Sequence, residues 1–294
     1  MTRPVAPDAI AADIVGVEAG PIAHTLDARW LMAYAAALGE ADPRYYDTLA
    51  GPGPLAHPLF AVCYEWPAAL ALRDLTIAAE LQPRGVHATH HLVIHRAPRA
   101  GDTLRTTARV IAVERRRAGT RIVSRFETID AAGRPVTTTN YGSVYRGVAL
   151  TGGSTGAGAA KSPAATPSPA DAGDRWTDAL DIPATAAWVY TECARIYNPI
   201  HTDVAVARRA GLPAPILHGT ATLALALSRV VARDLGGEPA RVAEVRGRFT
   251  GMVPMPSSLR VRGGARDGRA VAFDAVSADG TPILSQGVVI ACDR

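Results

Sequence analysis

Lysine is almost missing from this 294-residue chain, and the one present, Lys161, sits in a stretch rich in Gly, Ser, Ala and Pro. That excludes a Schiff-base lysine and a Walker-type phosphate loop. Cysteine is nearly as rare. Cys63, Cys193 and Cys292 show no C-x-x-C spacing, which argues against a disulfide framework or a structural zinc site. Cys193 stands next to the polar cluster described below, where a thiol nucleophile has to be considered, but a lone cysteine is ordinarily a small buried hydrophobe. No apolar run approaches the roughly 20 residues that span a bilayer. The N-terminal MTRPVAPDAIAADIVG lacks the apolar core of a signal peptide, so a cytoplasmic protein without a membrane partner is expected. Aromatic residues make up 5%, with no hint of an aromatic-lined pocket.

The balance of charge, 31 basic against 27 acidic residues, leaves +4 and raises nucleic acid as a partner. The basic residues are nearly all arginine, scattered among acids, and the densest run, Arg115-Arg116-Arg117, falls at a hairpin tip, so no nucleic-acid partner is expected. Hydrophobic residues at 48% supply core for two ordinary domains or one large one.

Residues 1–20 read as a loose lead-in. Asp27 to Gly39 reads as a helix with an acidic start and a glycine stop, and a second apolar helix runs from about His57 to Leu75. From Gly85 to Tyr145, apolar and polar residues alternate between turn sequences, the pattern of an antiparallel meander. Residues 151–173 have almost no large apolar side chain and are expected to form a flexible linker. The same order then returns: a helix over Ala184–Ala194, an apolar helix over 220–233, and strands at 241–251, 258–264, 269–277 and 282–291. Tyr34-to-Asp47 overlays Tyr190-to-Asp203 end to end at an offset of 156 (190 − 34), with Asp42-Pro43 on Asn198-Pro199. The expected division is a first half 1–150, the linker, and a second half 174–294.

The stretch from Tyr190 to Gly219 holds the polar residues that can carry chemistry: Tyr197, Asn198, His201, Thr202 and Asp203, closing on His218-Gly219-Thr220. A histidine held by an Asn-Pro turn can do acid–base chemistry near neutral pH, and the helix that follows offers free backbone N–H groups to a developing oxyanion. In the first half Tyr45 stands at the position of His201, Asp42 at Asn198 and Glu40 at Ile196, so that half is expected to shape a channel, the alanines Ala33, Ala35, Ala36 and Ala37 leaving room for a ligand chain. His87, His90, His91 and His95 lie in strand sequence, where only His87 with His91, or His91 with His95, share a face at a spacing of four. Without nearby Cys, Asp or Glu ligands they are read as strand residues, and no metal is expected.

Asn198-Pro199-Ile200-His201, with Asp203, Ala210-Gly211-Leu212 and His218-Gly219, resembles the hydratase motif of MaoC-type (R)-specific enoyl-CoA hydratases and dehydratases. That motif reads roughly S-G-D-x-N-P-[LIV]-H, and here the place of its aspartate is taken by Ile196. The resemblance implies an α+β fold of two tandem hotdog units, each a long apolar helix wrapped by a curved antiparallel sheet. It implies addition or removal of water across the α,β bond of an acyl thioester, on coenzyme A or a carrier protein, without a cofactor. Carried over residue by residue, His201 would be the base or acid, Asn198 the orienting group and the Gly219 amide the oxyanion donor, with His218, Tyr197 and Thr220 lining the pocket. Ile196 leaves three alternatives open: a substitute carboxylate, Asp203 or Glu192; a reaction run by His201 alone; or a remodelled pocket that binds acyl thioesters or performs an isomerisation, cyclisation or elimination. Asp203 has a second reading as the N-cap of a helix over Val204–Ala210. Pairing of two such chains into a homodimer stays open.

Overall fold

The computed structural model describes residues 8–51, 53–156 and 173–292. Helix α1 (Ala28–Ala37) begins where the Asp27 carboxylate accepts from the Trp30 amide at 2.7 Å and ends at Gly39, whose φ of +69° suits glycine. Helix α2 (Ala61–Thr76) is the long apolar helix of the first half. In the second half, α3 (Ala186–Ala194), the short α4 (Val204–Arg209) and the long α5 (Gly219–Asp234) fall where the sequence places them. The meander is also as expected, β3 (Gly85–Ile94), β4 (Thr103–Arg116), β5 (Gly119–Ile129) and β6 (Pro135–Arg146) being antiparallel strands, with the clearest alternation of buried and exposed positions in β4.

Two expectations are corrected. The lead-in is not loose throughout, because Ala9–Ala11 forms β1 and Glu18–Thr25 forms β2, which gives β4 a partner along its outer edge. The linker does not begin at 151. Ala149–Thr151 (β7) pairs with β1, and Thr155–Gly156 (β8) pairs with β4. Backbone pairing holds these small residues without any need for a large side chain. Gly156 lies so close to β4 that a Cβ there would fall 2.4 Å from the Ile111 carbonyl oxygen. Residues 157–172 of the expected linker lie outside the described residues.

The second half repeats the sheet with β9 (Trp176–Ile182), β10 (Val242–Phe249), β11 (Ser257–Asp267), β12 (Ala270–Ser277) and β13 (Pro282–Ala291). Strands join in the order β2-β4-β5-β6-β3-β10-β13-β12-β11-β9, so each half contributes five strands in matching order and β3 pairs with β10 at the centre. A pseudo-two-fold therefore relates the halves, as in a symmetric dimer with its subunits joined. Near that axis α1 packs on α3, and the Tyr34 and Tyr190 hydroxyls, 156 residues apart, lie 3.3 Å from each other. One core cluster spans both halves, joining Tyr34, Phe60 and Leu92 to Leu223, Leu227 and Phe273.

Phe273 is fully buried against Gly287, where a Cβ would meet its ring at 2.9 Å. Phe273→Ala is expected to cost about 3–5 kcal/mol in urea unfolding. A loss below about 1 kcal/mol would mean that this part of the shared core is not close-packed.

Candidate active site

Helix α3 ends abruptly because Arg195 adopts φ 58°, the left-handed turn that Gly39 makes at the equivalent point of the first half. A side chain pays about 1–2 kcal/mol for that conformation. Here the guanidinium lies 4.2 Å from the centre of the Trp30 ring, a cation–π contact that offsets part of it. The chain then turns through Pro199–His201, with the Asn198 side chain accepting from the Ile200 amide at 3.4 Å. This turn seats the His201 ring against that of His218, with centroids 3.7 Å apart.

His201 Nδ1 lies 2.8 Å from the Ile216 carbonyl oxygen. A carbonyl can only accept, so Nδ1 carries the hydrogen and Nε2 keeps its lone pair. Burial pushes the His201 pKa down to about 4, against a smaller opposing effect of that carbonyl, so the ring is neutral at physiological pH. His218 is also driven well below the usual range, by burial first and by the neighbouring His201 second, and its Nε2 sits 3.2 Å from the Thr191 hydroxyl. Immediately after it, Gly219 opens α5 with its amide free of any intrahelical partner. A Cβ at Gly219 would come 3.3 Å from the Phe249 ring, so glycine keeps this helix end close to the pocket wall. Thr220 accepts from the Tyr190 hydroxyl at 3.1 Å.

Asn198, His201, His218, Gly219 and Thr220 all line one cavity of ≈ 490 Å³. Two expected site residues do not. Tyr197 is 56% exposed, because the turn carries its side chain outward. Asp203 accepts from the Val206 amide at 3.0 Å and caps α4, so its carboxylate is committed to the helix end. Glu192 also lies outside the cavity, and Cys193, whose thiol burial and Glu192 push above its ordinary range, is no ready nucleophile. Ile196 lines the cavity as an apolar wall at the place where the motif calls for a carboxylate.

The far wall comes from the first half. Helix α2 contributes Val62, Glu65, Trp66 and Ala69, and the cavity continues to Thr76, Gln82 and Tyr145. The channel wall is thus α2, and none of the alanines of α1 lines the cavity. β3 adds His87 and His90, which share a face after all. A bulge at Ala88 shifts the register with β6 and turns both rings inward, 5.3 Å apart, with His87 stacked on Tyr141 at 3.7 Å. His90 is buried with neither ring nitrogen hydrogen-bonded, and burial lowers its pKa to about 3. Glu65, 4% exposed, accepts from the Thr139 hydroxyl at 2.6 Å, and burial raises its carboxyl to about 8. One sequence signal could have found it: Glu65 is the sole acid in the apolar run AVCYEWPAALAL. No group of three or more potential metal ligands occurs among the described residues.

The first half keeps a closed counterpart. Tyr45 stacks near His57 as His201 does on His218, and His57 contacts Ser228, which in turn bonds Glu40. None of these four residues lines the cavity.

Five strands per half around a long helix, joined edge to edge at the centre, define a double hotdog fold. Residues 177–283 match the family model "MaoC like domain", and residues 13–139 match "FAS1-like, dehydratase domain region". A MaoC-like dehydratase from Phytophthora capsici superposes with a TM-score of 0.82 at 24% identity, over 96% of this chain and 98% of that one. A Mycobacterium tuberculosis protein described as a double hotdog fold superposes at 0.63 with 18% identity, over 94% and 96%. By sequence, a probable enoyl-CoA hydratase 2 from Dictyostelium discoideum is 27% identical over 164 residues, 54% of this chain and 53% of the relative. The matched segments span from 4% to 53% of the length of the curated relatives. No helix among the described residues is long and apolar enough to cross a membrane.

His57, His90 and His201 are held neutral with pKa values of about 3, 3 and 4, below the unfolded value near 6.5. Their contribution to stability is present above pH 6.5 and lost as pH falls toward those values. The urea midpoint should therefore drop steeply between about pH 6.5 and about pH 4. A flat profile over that range would show the rings to be solvated.

Proposed function

We propose that this chain is a hydratase or dehydratase acting on an acyl thioester of coenzyme A or a carrier protein. One observation carries the reading: a neutral imidazole with its Nδ1 hydrogen fixed on Ile216 lines the same cavity as the free amide at the start of α5. In hydration, His201 Nε2 takes a proton from water as the oxygen adds to C3. Negative charge then develops on the thioester oxygen, where the Gly219 N–H and the helix terminus stabilise it. Asn198 holds the turn through Ile200 and so fixes the imidazole. The acyl chain extends along α2 toward Tyr145, a wall supplied by the first half. The relative from Dictyostelium, named a probable enoyl-CoA hydratase 2, and the match of residues 13–139 to a FAS1-like dehydratase domain region support this reading. The modest basic balance of the chain also suits an anionic carrier.

Hydration of trans-2-enoyl-CoA thioesters of increasing chain length, with His201→Ala beside the unmodified chain, tests the reading. The substitution should lower kcat by about 10²–10⁴-fold. Turnover unchanged in His201→Ala would remove His201 from the chemistry.

A further inference from the structure

The site as described has a base and an oxyanion donor but no acid where its motif carries one. We propose that Glu65, reaching in from the other half on α2, is the catalytic carboxyl group of this cavity. The inference rests on the hydratase reading above and deepens it.

Glu65 is the one carboxyl-bearing residue among those that line the cavity. No arginine pairs with it among the described residues, and its single side-chain partner is the Thr139 hydroxyl on β6. A buried carboxyl in that setting costs stability that a glutamine or methionine of similar size would not. Thr139 pairs with Leu92 across the sheet, two residues along from the His90–Tyr141 pair and on the same face, which places Glu65 over the polar floor of the cavity. Such a group, aimed into a cavity with a perturbed proton affinity, is the usual mark of acid–base work. Burial keeps it protonated at neutral pH, since its carboxyl titrates near 8. The first half has its carboxylate, Glu40, at the position of Ile196, where Ser228 of the opposite long helix meets it. The second half has Ile196 there, and its cavity takes Glu65 from the opposite long helix.

The step balances. His201 Nε2 removes one proton of water, the water oxygen bonds to C3, and the C2–C3 π pair moves onto C2 and the thioester oxygen. Glu65 delivers its proton to C2 and becomes a carboxylate. Transfer of the proton from His201 back to Glu65 through a water molecule resets the site. Dehydration runs the same events in reverse, with the carboxylate taking the C2 proton.

Kinetics of hydration of a trans-2-enoyl-CoA, followed from about pH 5 to about pH 9 with thermal melts alongside, test the assignment. The unmodified chain should lose activity as pH rises through about 8, where Glu65 gives up its proton. Glu65→Gln should lower kcat by about a hundredfold or more, with KM changed by no more than about threefold. At about pH 8 its melting temperature should match or exceed that of the unmodified chain, because an amide has no charge to keep suppressed. A Glu65→Gln enzyme within about threefold of normal kcat overturns the proposal while leaving a His201-dependent hydratase intact. Should Glu65→Gln not fold, Glu65→Asp decides: a retained alkaline limb upholds the assignment, and activity without that limb refutes it. No turnover of any enoyl-CoA by the unmodified chain would remove the hydratase reading and this inference with it.

Discussion

Thr89–Val93 of β3 pair with Glu244–Arg248 of β10, and this one ladder makes the rest of the architecture possible. It fuses two five-stranded half-sheets into a single surface long enough to cover both α2 and α5. The cavity that holds His201 draws its lining from both halves. The start of α5, with His218 and Gly219, supplies one wall, while the outer part of α2 and the inward face of β3 supply the other. Phe249, at the end of β10, sits at the junction, against His87 at 4.6 Å on one side and against Gly219 on the other.

The pairing also explains how the halves could diverge in chemistry while keeping the same geometry. The turn after α1 and the turn after α3 both end in left-handed residues, Gly39 and Arg195, and both lead through a 3₁₀ turn to a ring, Tyr45 or His201, stacked on a histidine. In the first half the histidine, serine and glutamate satisfy one another in a closed network, which suits a structural role. In the second half the imidazole is anchored at one nitrogen only, and the other stays available to a ligand. The two histidines thus differ in unspent hydrogen-bonding capacity, which His201 keeps and His57 does not.

Much of the fold was legible because its signals are local. Asp27 and Gly39 bracket α1, alternation marks β4 to β6, and the 156-residue offset reveals the repeat. Half of the site was legible for the same reason, since Asn198, His201, His218 and Gly219 lie in one continuous stretch. Tyr197 and Asp203, grouped with them by spacing, do not line the cavity, because spacing gives position along the chain and not side-chain direction. The remaining wall depends on long-range pairing. Glu65 reaches the cavity only once α2 is laid across the sheet, and the inward turn of both His87 and His90 needs a bulge that alternation alone does not reveal. The strands β1, β7 and β8 were missed because their sequences are short and small-residued, and only a neighbouring strand edge gives them order.

The measurement that tests this account most directly is a crystal structure of the protein with decanoyl-CoA, which keeps the thioester carbonyl but has no double bond to hydrate. The expected result is a thioester oxygen on the Gly219 amide, C2 and C3 between His201 and Glu65, and an alkyl chain along α2 toward Tyr145. A thioester bound away from Gly219, or a chain lying outside the first half's wall, would contradict a cavity built jointly by the two halves.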